Sequence, residues 1–219
     1  MFSTGGKKRF LHRIIAFFLD ISRKPLMDMV NSSITEETIA IDIGCNIGYL
    51  TRPLSARVKT IGIDTQKPQI RWAKRCNKEI DFICCDLCHL PLKESSINLA
   101  VCGSVLEHIE NLDQAIEEIK FTLKKQGKLV AGYPIETILI EFIIKSIFRS
   151  EAQIWSQKTI MKKPELLRNP SVHKQNYVSI RKCIEKNLLL SKKKKLPHNY
   201  FPDLFSFYES SISEKYLIK

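Results

Sequence analysis

Apolar residues in the first two-thirds of the chain fall into short β-branched runs separated by longer amphipathic stretches, and this alternation sets the expected fold. Residues 38–43, 58–63, 80–85, 97–103 and 127–133 read as buried strands, each bounded by polar or glycine positions. Residues 48–57, 66–77 and 112–124 carry helical spacing between them. Strand and helix in alternation predict a doubly wound α/β sheet. Pro68 falls in the first turn of the second helix, a position that accepts proline, and Gly127 follows Lys124 and Lys125 as a C-terminal helix stop would. Further on, 176–187 reads as a helix and 188–193 as a strand, and 204–211 reads as a strand that returns antiparallel to close the sheet.

The first strand breaks into the turn Asp42-Ile-Gly44-Cys45-Asn46-Ile-Gly48. A glycine at 44 lets a ligand approach the backbone where a Cβ would block it. Asn46 sits mid-turn, and asparagine is the side-chain-bearing residue that best tolerates a left-handed backbone. The second strand delivers Asp64 to its carboxyl end, where a carboxylate can accept both hydroxyls of a ribose. A dinucleotide site would need Gly-x-Gly-x-x-Gly, to bring a helix N-terminus to a pyrophosphate. Here an acid precedes the first glycine and the third glycine is missing from its place, so the expected ligand carries an adenosine and a positive charge.

At these residues the chain resembles the class I S-adenosylmethionine-dependent methyltransferases, in particular the small-molecule branch called type 11. Ile83-Cys-Cys-Asp86-Leu87, the run from Asn98 to Leu106-Glu107-His108, Leu123-Lys-Lys-Gln-Gly-Lys-Leu-Val130 and Tyr133-Pro134 carry the likeness onward, over residues 37–134. Asn46, Asn98 and Gln126 stand where many members have glycine, aspartate and glycine. The resemblance implies a mostly parallel, seven-stranded Rossmann-like sheet with helices on both faces and an antiparallel last strand. It implies S-adenosyl-L-methionine as cofactor, contacted by Asp42, Gly44, Cys45, Asn46 and Gly48, by Asp64 and Thr65, by Asp86 and Leu87, and by Cys102 and Gly103. Asp86 would hold the adenine amino group and the Leu87 amide would face the ring. Tyr133 would line the acceptor pocket, and His108, beside the methyl donor, is the candidate general base, with a near-neutral pKa suited to removing a hydroxyl proton. Glu107 and His108 could equally begin a short helix that only orients the loop.

A chain of 219 residues is the length of one domain, divided here into an N-terminal helical cap (1–36), a cofactor-binding core (37–134) and substrate-side elements (135–219). Seven cysteines predict free thiols in a reducing, cytoplasmic setting. Lys7-Lys8-Arg9 mimics the opening of a signal peptide, but His12, Arg13 and Asp20 interrupt the apolar stretch behind it. Cys85-Asp-Leu-Cys88-His89 matches a haem-attachment pattern, and Cys84 adds an apparent metal cluster. The reading adopted is neither haem nor metal: these are small apolar residues at a strand end, without a second ligand pair.

Residues 9–23 are amphipathic, with Arg9, His12, Arg13, Asp20 and Arg23 on one side of a helical wheel. Such a helix packs on the domain as a cap or lies on a membrane surface. With the apolar stretch 138–148 it makes a lipid-linked acceptor plausible alongside an ordinary small molecule, with the transfer at oxygen. The net charge of +12, with Lys162-Lys163 and Lys192–Lys195 contributing, raises RNA as an alternative partner. However, Cys102-Gly103-Ser104 replaces the proline-aromatic turn that stacks an extruded base. A non-catalytic, cofactor-binding regulatory subunit is the remaining alternative. The sequence leaves oligomeric state open.

Overall fold

The computed structural model describes residues 24–134, 174–196 and 205–211. The amphipathic segment 9–23, the apolar stretch 138–148 and Lys162-Lys163 lie outside them. Residues 24–31 are helical (α1). There follow β1 (Ile39–Ile43), α2 (Thr51–Ser55), β2 (Lys59–Asp64), α3 (Lys67–Cys76), β3 (Asp81–Cys84), β4 (Ile97–Gly103) and a 3-10 turn (Leu106–His108). After these come α4 (Leu112–Thr122), β5 (Leu123–Pro134), α5 (Tyr177–Asn187), β6 (Leu189–Leu196) and β7 (Phe205–Ser211).

The strands form one seven-stranded sheet in the order β3-β2-β1-β4-β5-β7-β6. The first five are parallel, and β7 runs antiparallel to both β5 and β6. Alternation along each strand divides the core. Ile41, Ile43, Ala100, Cys102 and Leu129 face α4 and α5, while Ala40, Leu99, Val101 and Val130 pack against Leu26, Met29 and Val30 of α1. A parallel sheet must be covered on both faces, and the continuous apolar runs of β1 and β4 reflect that.

Three expected boundaries are corrected. The first helix is confined to Thr51–Ser55, because Gly48 has φ +88 and holds the preceding residues in a turn. Helix α4 ends at Thr122, since Leu123 is already extended (φ −70, ψ 136), and α4 is followed at once by β5. Gly127 is therefore no helix stop but part of the strand. A Cβ there would come within 2.9 Å of the Lys124 carbonyl and 3.0 Å of that of Ile97, where the register between β4 and β5 shifts. The returning strand β7 does not close the sheet at its edge. It lies between β5 and β6, leaving the lysine-rich β6 outermost.

Two polar side chains, one half-buried and one buried, stitch distant elements. Asn98 Oδ1 accepts from the Ile39 amide at 3.0 Å and from Lys124 Nζ at 3.1 Å, joining β1, β4 and β5. Glu209 on β7 is 1% exposed and accepts from Ser33 Oγ (2.9 Å), Lys128 Nζ (3.2 Å) and Lys192 Nζ (3.2 Å). Burial pushes its carboxyl up, but the hydrogen bonds from Ser33, Lys128 and Lys192 outweigh that and hold its pKa below the usual value.

Candidate functional site

Strand order reverses between β1 and β4, so their loops diverge and open a crevice at the carboxyl ends of the strands. The loops after β1, β2, β3 and β4 line a cleft of about 770 Å³ there. Of the candidate residues, Gly44, Asp64, Thr65, Asp86, Leu87 and His108 line it. Asp42, Cys45, Asn46, Gly48, Cys102, Gly103 and Tyr133 are not among its lining residues.

The glycine turn is bonded to the end of β2. The amides of Gly44 and Cys45 both donate to the Ile63 carbonyl (2.7 and 2.9 Å), and the Asn46 amide donates to Asp64 Oδ2 at 2.9 Å. Three successive amides that could have cradled a phosphate are thus engaged within the protein. Asn46 takes the left-handed conformation its residue type suggested, at φ 52. Gly44 has φ +70, yet the neighbour it admits is a side chain: a Cβ there would lie 2.2 Å from Val105 Cγ2. Glycine at 44 therefore also lets the loop after β4 close against the loop after β1.

Asp64 is 7% exposed and also accepts from the Gln66 amide at 2.8 Å, through Oδ1. Each carboxylate oxygen has two acceptor positions, so one remains on each for a diol in the cleft. Asp42 points to the other face of β1, into the layer of α2, where Thr51 Oγ1 donates to it at 2.6 Å. Burial, only partly offset by that hydrogen bond, and the nearby Asp64 charge raise its pKa from 3.8 to about 7.

The loop after β3 is an Asx turn in which Asp86 Oδ1 accepts from the Cys88 amide at 2.9 Å. Burial raises the thiols: Cys85 to about 11, with Cys45, Cys88 and Cys102 also shifted up, so they stay protonated at neutral pH. Cys88 Sγ contacts the Asn111 carbonyl at 3.6 Å. Among the described residues, no group of three or more His, Cys, Asp or Glu side chains is placed to hold a metal ion.

His108, with its side chain 20% exposed, ends the 3-10 turn, 3.9 Å from Glu107 Oε1. The segment before α5 straps that turn: the Lys174 and Gln175 amides donate to the Glu107 carbonyl (2.8 and 3.1 Å), and Gln175 Nε2 reaches the carbonyls of Ile109 and Glu110 at 3.1 Å. Tyr133 is displaced from its expected role. Fully buried between β5 and β7, it stacks on Tyr208 with ring centroids 5.4 Å apart and interplanar angle 7°. Sequence reasoning missed Val105, Ile109, Gln114 and Lys174 as cleft residues. Gln114 alone left a signal, the Asn-x-x-Gln spacing of a capping box at the start of α4.

The arrangement can hold a ligand between the strand-end carboxylates Asp64 and Asp86. Residues 41–131 match the family model described as a methyltransferase domain. An uncharacterised protein of Methanocaldococcus jannaschii is 33% identical over 95 residues, 43% of this chain and 40% of the relative. The demethylmenaquinone methyltransferase of Lactobacillus johnsonii is 30% identical over 100 residues, 41% of each. The chain thus spans less than half the length of these curated relatives. The crystal structure of the N-methyltransferase NodS from Bradyrhizobium japonicum, in complex with S-adenosyl-L-homocysteine, superposes with a TM-score of 0.62 at 16% identity, over 88% of this chain and 87% of that one. That likeness is one of fold.

Proposed function

We propose that this chain, whose residues 41–131 are a class I methyltransferase domain, is an S-adenosylmethionine-dependent methyltransferase acting on a small or lipid-linked acceptor, with transfer to oxygen. The observation that carries the reading is Asp64: a buried carboxylate at the end of β2, facing the cleft, with an acceptor position left on each oxygen after it has anchored the glycine turn. Asp86 is assigned to the adenine amino group and Leu87 to the base. The similarity to the demethylmenaquinone methyltransferase over 100 residues supports an apolar acceptor class.

The cofactor, when bound, supplies a methyl group on a sulfonium that is already a good leaving group. The protein's part is therefore mainly alignment in a cleft shielded from water. His108 faces that cleft, and as general base it would take the acceptor's hydroxyl proton at an imidazole nitrogen. Cell extract incubated with isotopically labelled methyl donor and the protein should yield a labelled small or lipid product by mass spectrometry. Label found only in RNA would redirect the reading to nucleic acid. Tight cofactor binding with no label transferred would favour a regulatory subunit.

The raised pKa of Asp42 gives a pH dependence. Without ligand, the folded chain binds this proton more tightly than the unfolded chain, so Asp42's contribution to stability falls as pH rises from about 4 to 7. Urea titrations should show wild type losing stability relative to Asp42→Asn as pH rises through that window.

A further inference from the structure

The loop after β3 carries two turn bonds of its own, from the Cys88 amide to Asp86 Oδ1 and from the His89 amide to the Asp86 carbonyl, and α4 braces it from outside. The Leu90 amide donates to Glu118 Oε2 at 3.1 Å, and Gln114 Nε2 lies 3.0 Å from the Cys88 carbonyl and 3.2 Å from His89 Nε2. The orientation of the Gln114 amide follows from a chain of bonds that starts at an unambiguous donor. The Gln114 backbone N–H donates to Asn111 Oδ1, which makes the other Asn111 atom, Nδ2, a donor. Nδ2 lies 2.9 Å from Gln114 Oε1, so Oε1 accepts and the Gln114 nitrogen points at the loop with both its hydrogens. One goes to the Cys88 carbonyl, and the same nitrogen lies 3.2 Å from His89 Nε2. The capping residue Asn111 thereby aims a glutamine at the carbonyl two residues beyond Asp86.

We propose that Gln114 is a positioning residue for base recognition: from the first turn of α4 it holds the Cys88–His89 turn, and so sets the aim of the Asp86 carboxylate at the edge of the bound base. The proposal rests on the cofactor reading above. It assigns specificity to a residue in which the sequence showed only a helix cap. Asp86 lies at the start of its Asx turn, so the path of the backbone at Cys88 fixes where its free oxygen points. If that path relaxes, a contact to an exocyclic amino group loses its aim, whereas packing of Leu87 and Val105 on the base is indifferent to it.

The test compares S-adenosylhomocysteine with S-inosylhomocysteine, in which a carbonyl oxygen replaces the adenine amino group, by calorimetry on the full chain. Wild type should prefer the adenosyl ligand, because a carboxylate repels the inosyl oxygen. Gln114→Met, of similar length but without donors, should weaken the adenosyl ligand about three- to tenfold, the loss of one hydrogen bond's aim, and leave the inosyl ligand within about twofold. Gln114→Glu keeps the acceptor for Asn111 and a favourable acid in the first turn of the helix, but turns an oxygen toward the Cys88 carbonyl. It should melt no lower than wild type and yet lose the same discrimination, so it carries the test if the methionine variant fails to fold. An equal loss for both ligands, or an unchanged preference in both variants, overturns the proposal. If the wild type binds neither ligand, the cofactor reading falls and takes this proposal with it. If the wild type binds both with equal affinity, only the role given to Asp86 and Gln114 falls.

Discussion

Replacing Asp64 by alanine is expected to weaken S-adenosylhomocysteine binding by about a hundredfold or more. Two hydrogen bonds from a ribose to a charged acceptor account for much of that, at roughly 1.5–3 kcal/mol each. The structure adds a second loss. Asp64 also anchors the amides of Asn46 and Gln66, so its removal leaves those donors unsatisfied and frees the glycine turn that Asn46 holds at positive φ. Asp64→Asn keeps an acceptor for one amide and should fall between wild type and alanine. Calorimetry reporting wild-type affinity for Asp64→Ala would remove the support on which the functional reading stands.

The second large effect is on stability. Glu209→Ala should destabilise the fold by about 2–3 kcal/mol at neutral pH, because it strips a buried carboxylate from two lysines and two serines at once. The loss stays below the cost of breaking a fully buried pair, since Lys128 and Lys192 are 33% and 52% exposed and can rehydrate. The folded pKa of Glu209 lies below its ordinary value of 4.5, so this contribution is present above that pH and fades as pH falls through the folded value. Urea titrations of both proteins should therefore converge in acid. A constant gap between pH 7 and pH 3 would show that packing, and not charge, makes the difference.

The core elements and their order were legible because burial leaves a direct trace in the chain. Strand β4 has the bounds its apolar run predicted, and Asn46 could be read as left-handed from residue type alone. Of the candidate site residues, those that line the cleft, Gly44, Asp64, Thr65, Asp86, Leu87 and His108, all lie at the strand ends or in the loops after them. What lay beyond reach depended on contacts between distant residues. That Val105 fills the space over Gly44 is a matter of loop packing, with no periodicity to announce it. Lys174 reaches the cleft from a segment remote in sequence, brought there by bonds to the Glu107 carbonyl. Tyr133 misled for a related reason: the end of a strand marks the pocket side, but an inward-facing tyrosine there stacks on Tyr208 of a strand that arrives much later in the chain.

That late arrival also has a consequence in time. β7 is made after β6 yet sits between β6 and β5, so neither neighbour can find its partner in the sheet until residues 205–211 have left the ribosome. Until then β5 has an open edge and β6 has no strand to pair with, and the emerging chain carries two unpaired templates for other polypeptides. Four consecutive lysines on β6 supply the charge that discourages such pairing during the wait. The final insertion also brings Glu209 to Lys128 of β5 and Lys192 of β6, so one of the cations that repel strangers becomes, on completion, a partner of the last of these strands to enter.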